Sequence, residues 1–180
     1  MCYGVDRYFI VDIKLEILDI ETLEKYDSQK MYEIYDKWPK IARESFESNQ
    51  ESIDFKDIDH IIFAGMGGSG SIGDLFSSIL SKTDIHVSIV KGYLLPKTVD
   101  KNTLVIVTSV SGNTSESLTI LDSAKKMDCK LIVFSSGGKM KKICENNQIE
   151  FKNIPFFHSP RTSLINFTYS ILNILNPILP

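Results

Sequence analysis

The sequence predicts an α/β fold, a three-layer doubly wound sandwich around a five-stranded parallel sheet, preceded by N-terminal helices. Three observations predict it. Residues 60–64 (HIIFA), 85–90 (IHVSIV), 103–108 (TLVIVT), 130–134 (KLIVF) and 149–152 (IEFK) are short runs rich in apolar and β-branched side chains, the signature of sheet strands. Most of the spans between them, 72–80, 116–127 and 140–146, carry helical periodicity, and strands alternating with helices build βαβ units with a sheet covered on both faces. Three strand exits lead through Gly- and Ser-rich loops into helices, at the carboxyl ends of strands where open parallel sheets hold their ligands.

The elements follow in chain order. Residues 10–17 (IVDIKLEI) alternate apolar and charged positions, the period of a half-buried strand; with no hairpin partner in view, 1–18 stand as an N-terminal extension. From 21 to 48 the chain reads as two helices divided at Trp38-Pro39, because the residue before a proline is pushed out of helical geometry. Tyr26, Met31, Ile34, Tyr35 and Trp38 fall roughly on one face and read as packing residues. The helical segment is therefore 19–50, and the sheet domain 51–180. The last helix, 162–175, spreads Leu164, Ile165, Phe167, Ile171, Leu172, Ile174 and Leu175 over most of its circumference and is expected to be covered on more than one side. The apolar end at 176–180 (NPILP) reads as an interrupted chain or one that needs a partner, either a second copy or a second chain.

Composition narrows the function. With 180 residues, 43% hydrophobic and 24% charged, the chain is long enough for one well-packed domain and too apolar for a disordered one. A net charge of −3 argues against a nucleic-acid partner, which selects a basic face. No apolar run approaches the ~18 residues that cross a bilayer, and Asp6, Arg7, Asp12, Lys14 and Glu16 interrupt the first residues, which excludes a signal peptide. Cys2, Cys129 and Cys144 lack CxxC spacing, so neither a disulfide scaffold nor a zinc site is indicated and no metal is expected. The expectation is a cytoplasmic globular protein.

The chemistry is expected at the strand exits. Residues 65–70 (GMGGSG) satisfy G-x-G-x-x-G, but the next strand is followed by Lys91-Gly92 where a dinucleotide site needs an acid for the ribose, so the motif alone is weak. Gly137-Gly138-Lys139 lacks both the earlier glycine and the following Ser/Thr of a phosphate-binding Walker loop. Ser109-Val110-Ser111-Gly112-Asn113-Thr114 sets three hydroxyls and a glycine at a helix N-terminus, where unpaired N–H groups and the macrodipole favour an anion. A capping box of Asn113 with Glu116 accounts for Asn113, but not for Ser109, Ser111 and Gly112 ahead of it. Residues 135–139 (SSGGK) read alone as a turn. Pro160-Arg161, at the head of the last helix, presents one of only three arginines (with Arg7 and Arg43), a planar fork suited to oxyanions and hydroxyls. His60 and His86 lie on strands and read as structural; His158 stands close enough to Pro160 to approach a ligand.

Taken in order, GMGGSGSIGDL, SVSGNTSESL, SSGGK and PR resemble the sugar-isomerase (SIS) domain family, and more closely the first SIS domain of archaeal-type bifunctional phosphoglucose/phosphomannose isomerases, over residues 21–180. The resemblance implies a flavodoxin-like sheet, a hexose 6-phosphate ligand, aldose–ketose isomerisation through a cis-enediol, and no cofactor. It implies that Gly68 and Ser69 line the sugar-phosphate site, that Ser109, Ser111 and Thr114 hold the phosphate, and that Arg161 is catalytic beside the sugar. Position 110 is often aromatic in the family and position 70 often alanine; here they are Val110 and Gly70. The family's carboxylate base and ring-opening histidine belong to a second SIS domain, expected beyond Pro180. The competing expectation is a phosphosugar-binding module without turnover, either a sensor or a degenerate paralogue.

Overall fold

Each of the five β-branched runs forms a strand in the computed structural model, which describes residues 19–48 and 53–180. The strand expected at 10–17 lies outside the described residues. The strands are β1 (His60–Ala64), β2 (His86–Val90), β3 (Thr103–Ser109), β4 (Lys130–Ser135) and β5 (Glu150–Asn153). They pair in parallel in the order β2-β1-β3-β4-β5, the flavodoxin-like order, whose direction of winding reverses between β1 and β3. Central β1 and β3 are buried along their whole length; apart from His60 at the start of β1, every position is apolar or a small hydroxyl. The edge strands β2 and β5 are partly exposed, which is why β5 tolerates Glu150 and Lys152.

Side chains alternate across the sheet and define the layers. Ile61, Phe63, Leu104, Ile106, Ile132 and Phe134 point to one face, against α4 (Gly68–Leu80) and α7 (Leu164–Leu175). Ile62, Ala64, Val105, Val107 and Val133 point to the other, against α5 (Ser115–Ala124) and α6 (Gly138–Asn147). Phe76, Phe134 and Phe167 are fully buried on the first face, each contributing about 1.5–3 kcal/mol of apolar transfer energy.

The helices depart from the expected bounds in informative places. α4 begins at Gly68, earlier than the periodicity at 72–80, because its first turn is glycine and serine, which carry no hydrophobic pattern. The N-terminal segment holds three helices and not two: α1 (Ile20–Tyr26), α2 (Met31–Asp36) and α3 (Trp38–Phe46). Trp38-Pro39 opens α3, and Pro39 sits in the first turn, where a helix has no use for the missing N–H. Asp19 caps α1 by accepting the Thr22 N–H at 2.8 Å.

α7 is covered on two sides, as its circumference requires, but both covers come from within the chain. The sheet and α4 take one side. α3 takes the other, with Ile41 6% exposed and Asn173 Nδ2 donating to the carbonyls of Phe46 and, at 3.0 Å, Ser48. The helix therefore supplies no reason to require a partner chain. Among the described residues no helix is long and apolar enough to cross a membrane.

Candidate functional site

Where the winding reverses, the helix after β1 runs to one face of the sheet and the helix after β3 to the other, so a crevice opens between their amino ends. A cleft of about 380 Å³ occupies it, lined by Met66, Gly68 and Ser69 after β1, Val110, Ser111 and Thr114 after β3, and Pro160, Arg161 and Leu164 before or within α7. Two larger clefts, about 660 Å³ between α3 and β5 and about 550 Å³ at the amino ends of β3 and β4, lie away from this junction.

The β1 exit turns at Gly67, whose φ of +55° is the left-handed conformation that glycine adopts without strain. α4 begins at once, with no side-chain cap, so the positive end of its macrodipole stands at the cleft beside Ser69. α4 also lies hard on the β1 exit at Gly70: a Cβ there would come within 2.8 Å of the Gly65 carbonyl oxygen and 3.1 Å of Lys91 Cε. An alanine there would require the backbone to shift. Lys91, where a dinucleotide site would carry an acid, is ion-paired with Asp74 at 2.6 Å.

The β3 exit divides its hydroxyls between support and display. Ser109 is 2% exposed; its Oγ shares a hydrogen bond with Thr114 Oγ1 at 2.9 Å and accepts the Gly112 N–H at 3.2 Å. It lies beneath the cleft and holds Thr114, without lining the cleft itself. Ser111 is exposed there, its Oγ accepting the Asn113 N–H at 3.2 Å. The expected capping box does not form: the N-cap of α5 is Thr114. The Asn113 side chain instead donates to the Ser111 carbonyl at 3.0 Å and accepts the Lys139 N–H at 3.1 Å. Glu116 takes the Ser115 hydroxyl at 3.1 Å. Its own backbone N–H, then the Ser115 and Tyr93 hydroxyls, hold its carboxyl below the usual range, so it is ionised at neutral pH.

Residues 135–139 form a brace and do not line the cleft. Ser136 N–H donates to the Val110 carbonyl at 3.2 Å and Met140 N–H to the Gly112 carbonyl at 3.0 Å. The two loops interlock so closely that a Cβ on Gly112, whose φ is +65°, would overlap the Gly137 carbonyl.

Arg161 belongs to the connection from β5 to α7. It is exposed, is the sole charged side chain of the cleft lining, and makes no ion pair among the described residues. Beside it Thr162 is fully buried, with Oγ1 donating to the Phe157 carbonyl at 2.6 Å and accepting the Ser159 N–H at 3.2 Å. The histidines stay apart from the cleft. His60 Nε2 meets Ser88 Oγ at 2.9 Å and its ring lies 4.8 Å from that of His86, at the amino end of the sheet; burial and then the His86 charge push its pKa down. His158 is exposed and outside the lining.

Thus Gly68, Ser69, Ser111, Thr114 and Arg161 share one cleft, with Ser109 beneath it. Met66 and Leu164, its apolar walls, escaped sequence reasoning because an apolar residue beside a motif looks like any core residue. Among the described residues no three His, Cys, Asp or Glu side chains cluster as metal ligands.

The family model described as the SIS domain matches residues 54–174. A bifunctional phosphoglucose/phosphomannose isomerase of Caldicellulosiruptor bescii is 34% identical over 138 residues, covering 74% of this chain and 41% of that protein. One from Aquifex aeolicus is 36% identical over 117 residues, covering 64% and 37%. The chain thus spans about two fifths of the length of these relatives. In structure it is similar to the C-terminal domain of glucosamine-fructose-6-phosphate aminotransferase from Francisella tularensis, with a TM-score of 0.58, 20% identity and coverage of 81% of this chain and 47% of that one, a likeness of fold.

Proposed function

The chain belongs to the SIS-domain family, and from that premise we propose that it is the phosphosugar-binding part of an aldose–ketose isomerase. Its substrates are glucose 6-phosphate and mannose 6-phosphate, each interconverted with fructose 6-phosphate. The observation that carries this reading is the convergence of Ser69, Ser111, Thr114 and Arg161 on one cleft at the reversal of the sheet. The phosphate sits between the amino ends of α4 and α5, receiving hydrogen bonds from the Ser69, Ser111 and Thr114 hydroxyls, each worth about 1.5–3 kcal/mol when the acceptor is charged. Ser109 keeps Thr114 in place from below. The sugar then extends toward Arg161, whose fork polarises the reacting oxygens and assists ring opening.

Isomerisation moves one proton between C2 and C1 through a cis-enediol and needs a general base, which contributes about 10²–10⁴ in rate. No carboxylate lines the described cleft; the base comes from a second SIS domain, in the same protein or in a partner chain. That lack favours a narrower second reading for the chain on its own, in which it binds phosphosugar without turning it over. A charged metabolite of this class goes with a cytoplasmic setting, and a homodimer or a pairing of two SIS domains supplies the complete site.

Calorimetry with glucose 6-phosphate and a coupled isomerase assay test both readings on the 180-residue chain, alone and with the second SIS domain added. Binding without turnover is expected alone, and turnover on addition. In the complemented preparation Arg161→Lys should lower turnover more than affinity. A chain that does not bind the sugar phosphate overturns the reading; full activity alone places the base within this chain.

A further inference from the structure

We propose that the amino-terminal helices are part of this site, and that Trp38 is a positioning residue for Arg161. The inference rests on the role given to Arg161 above. Arg161 reaches the cleft from the connection 154–163, itself exposed beside buried Thr162 and Ser163, with no ion pair among the described residues to direct its side chain, so its place depends on its backbone. Most hydrogen bonds of residues 157–163 are local. Thr162 Oγ1 bonds the Phe157 carbonyl, and Ser163 Oγ accepts the Phe157 N–H at 3.2 Å; these set the shape of the loop around Arg161, while the start of the connection is tied to the sheet by the Ile154 N–H on the Ser135 carbonyl at 3.0 Å and to α7 by Asn166 Nδ2 on the Pro155 carbonyl at 2.6 Å.

Directly beside Arg161 a tie comes from far along the chain. Trp38 Nε1 donates to the carbonyl of Thr162, the residue after Arg161, at 3.0 Å. An indole N–H can only donate, and in one direction, so this bond fixes the orientation of a peptide group close to Arg161. The indole is itself held. Its ring meets Tyr35 edge-on at 4.7 Å and 72°, and α3 is clamped to α7 by buried Ile41 and by the Asn173 bonds to the carbonyls at its end. A weaker contact from the same segment, Ser159 Oγ to Met31 Sδ at 3.8 Å, touches the loop on the other side of Arg161. The N-terminal helices thus act on the cleft without lining it.

Trp38→Phe keeps an aromatic ring against Tyr35 and removes only the donor. Expected, by calorimetry, is about fivefold weaker binding of glucose 6-phosphate, with inorganic phosphate, held by the serine loops, weakened by less than about twofold. In an Arg161→Ala background the same substitution should cost less than about a factor of two, the signature of coupling between the two residues. Hydrogen exchange supplies a readout that needs no ligand: the amides of Phe157, Ser159 and Ser163 should exchange about tenfold faster in Trp38→Phe while those of β1 and β3 keep their protection. Equal losses with and without Arg161, or unchanged exchange at those three amides, overturns the proposal. If the unmodified chain fails to bind glucose 6-phosphate, the functional reading falls, and the exchange rates still decide whether Trp38 holds the loop.

Discussion

The loop leaving β3 and the loop leaving β4 are built from the same materials, serines and glycines between a buried strand and a helix N-terminus, yet they serve opposite ends. The first shows Ser111 and Thr114 to the cleft. The second turns inward: Ser135 is fully buried with its Oγ accepting the Gly137 N–H at 3.3 Å, and Lys139 and Met140 spend their N–H groups on the first loop. The difference lies in the direction each strand's helix takes. α4 and α5 diverge to opposite faces from β1 and β3, which opens the crevice, whereas α6 packs beside α5 on the same face and closes the gap between them. A helix N-terminus becomes a binding element only where the topology leaves it uncovered.

Substitutions matched across the two loops can break or sharpen this contrast. The largest effect is expected from Gly112→Ala, whose Cβ combines left-handed strain with overlap on the Gly137 carbonyl; urea unfolding should show a loss of about 3 kcal/mol or more. Gly137→Ala, also at positive φ but with open space around it, should lose only about 1–2 kcal/mol by the same measurement. Equal losses would mean that the two loops do not interlock.

Next come the serines. Ser111→Ala should weaken glucose 6-phosphate binding about tenfold, as loss of one charge-assisted hydrogen bond requires, with unfolding unchanged. Ser136→Ala should leave binding alone and leave stability equal or slightly higher, because its buried Oγ finds no partner among the described residues. If calorimetry finds the two variants equally impaired, the second loop contacts the ligand after all. The smallest change is expected from Asn113→Ala, which cuts the side-chain link between the loops. About 1 kcal/mol of stability should go, with a binding loss smaller than that of Ser111→Ala; a larger binding loss would make Asn113 itself a ligand contact.

Much of this is legible in the chain. The strands expected at 103–108 and 130–134 lie within a residue of Thr103–Ser109 and Lys130–Ser135, because burial on both faces of a parallel sheet demands continuous apolar, β-branched runs. The glycine-rich exits can be assigned to strand ends for the same reason. The start of α4 is not legible, since Gly68, Ser69 and Gly70 hold helical geometry with no apolar period to announce it. Nor is the fate of Asn113: its spacing to Glu116 fits a capping box, but the N–H of Lys139 competes for the same side chain and wins.

By itself, then, the sequence determined the alternation of strands and helices, the loops that stand at the carboxyl end of the sheet, and the residue types able to meet an anion there. These depend on local requirements, since burial, turn geometry and helix capping each act over a few neighbouring residues. Tertiary structure alone decided that Ser109 supports while Ser111 displays, that the second glycine loop braces the first, that α3 covers α7, and that Trp38 reaches the loop of Arg161. Each of those outcomes turns on a contact between groups distant in the chain or on a choice among several nearby hydrogen-bond partners, and such choices are made only when the packed helices and sheet bring the competitors within reach.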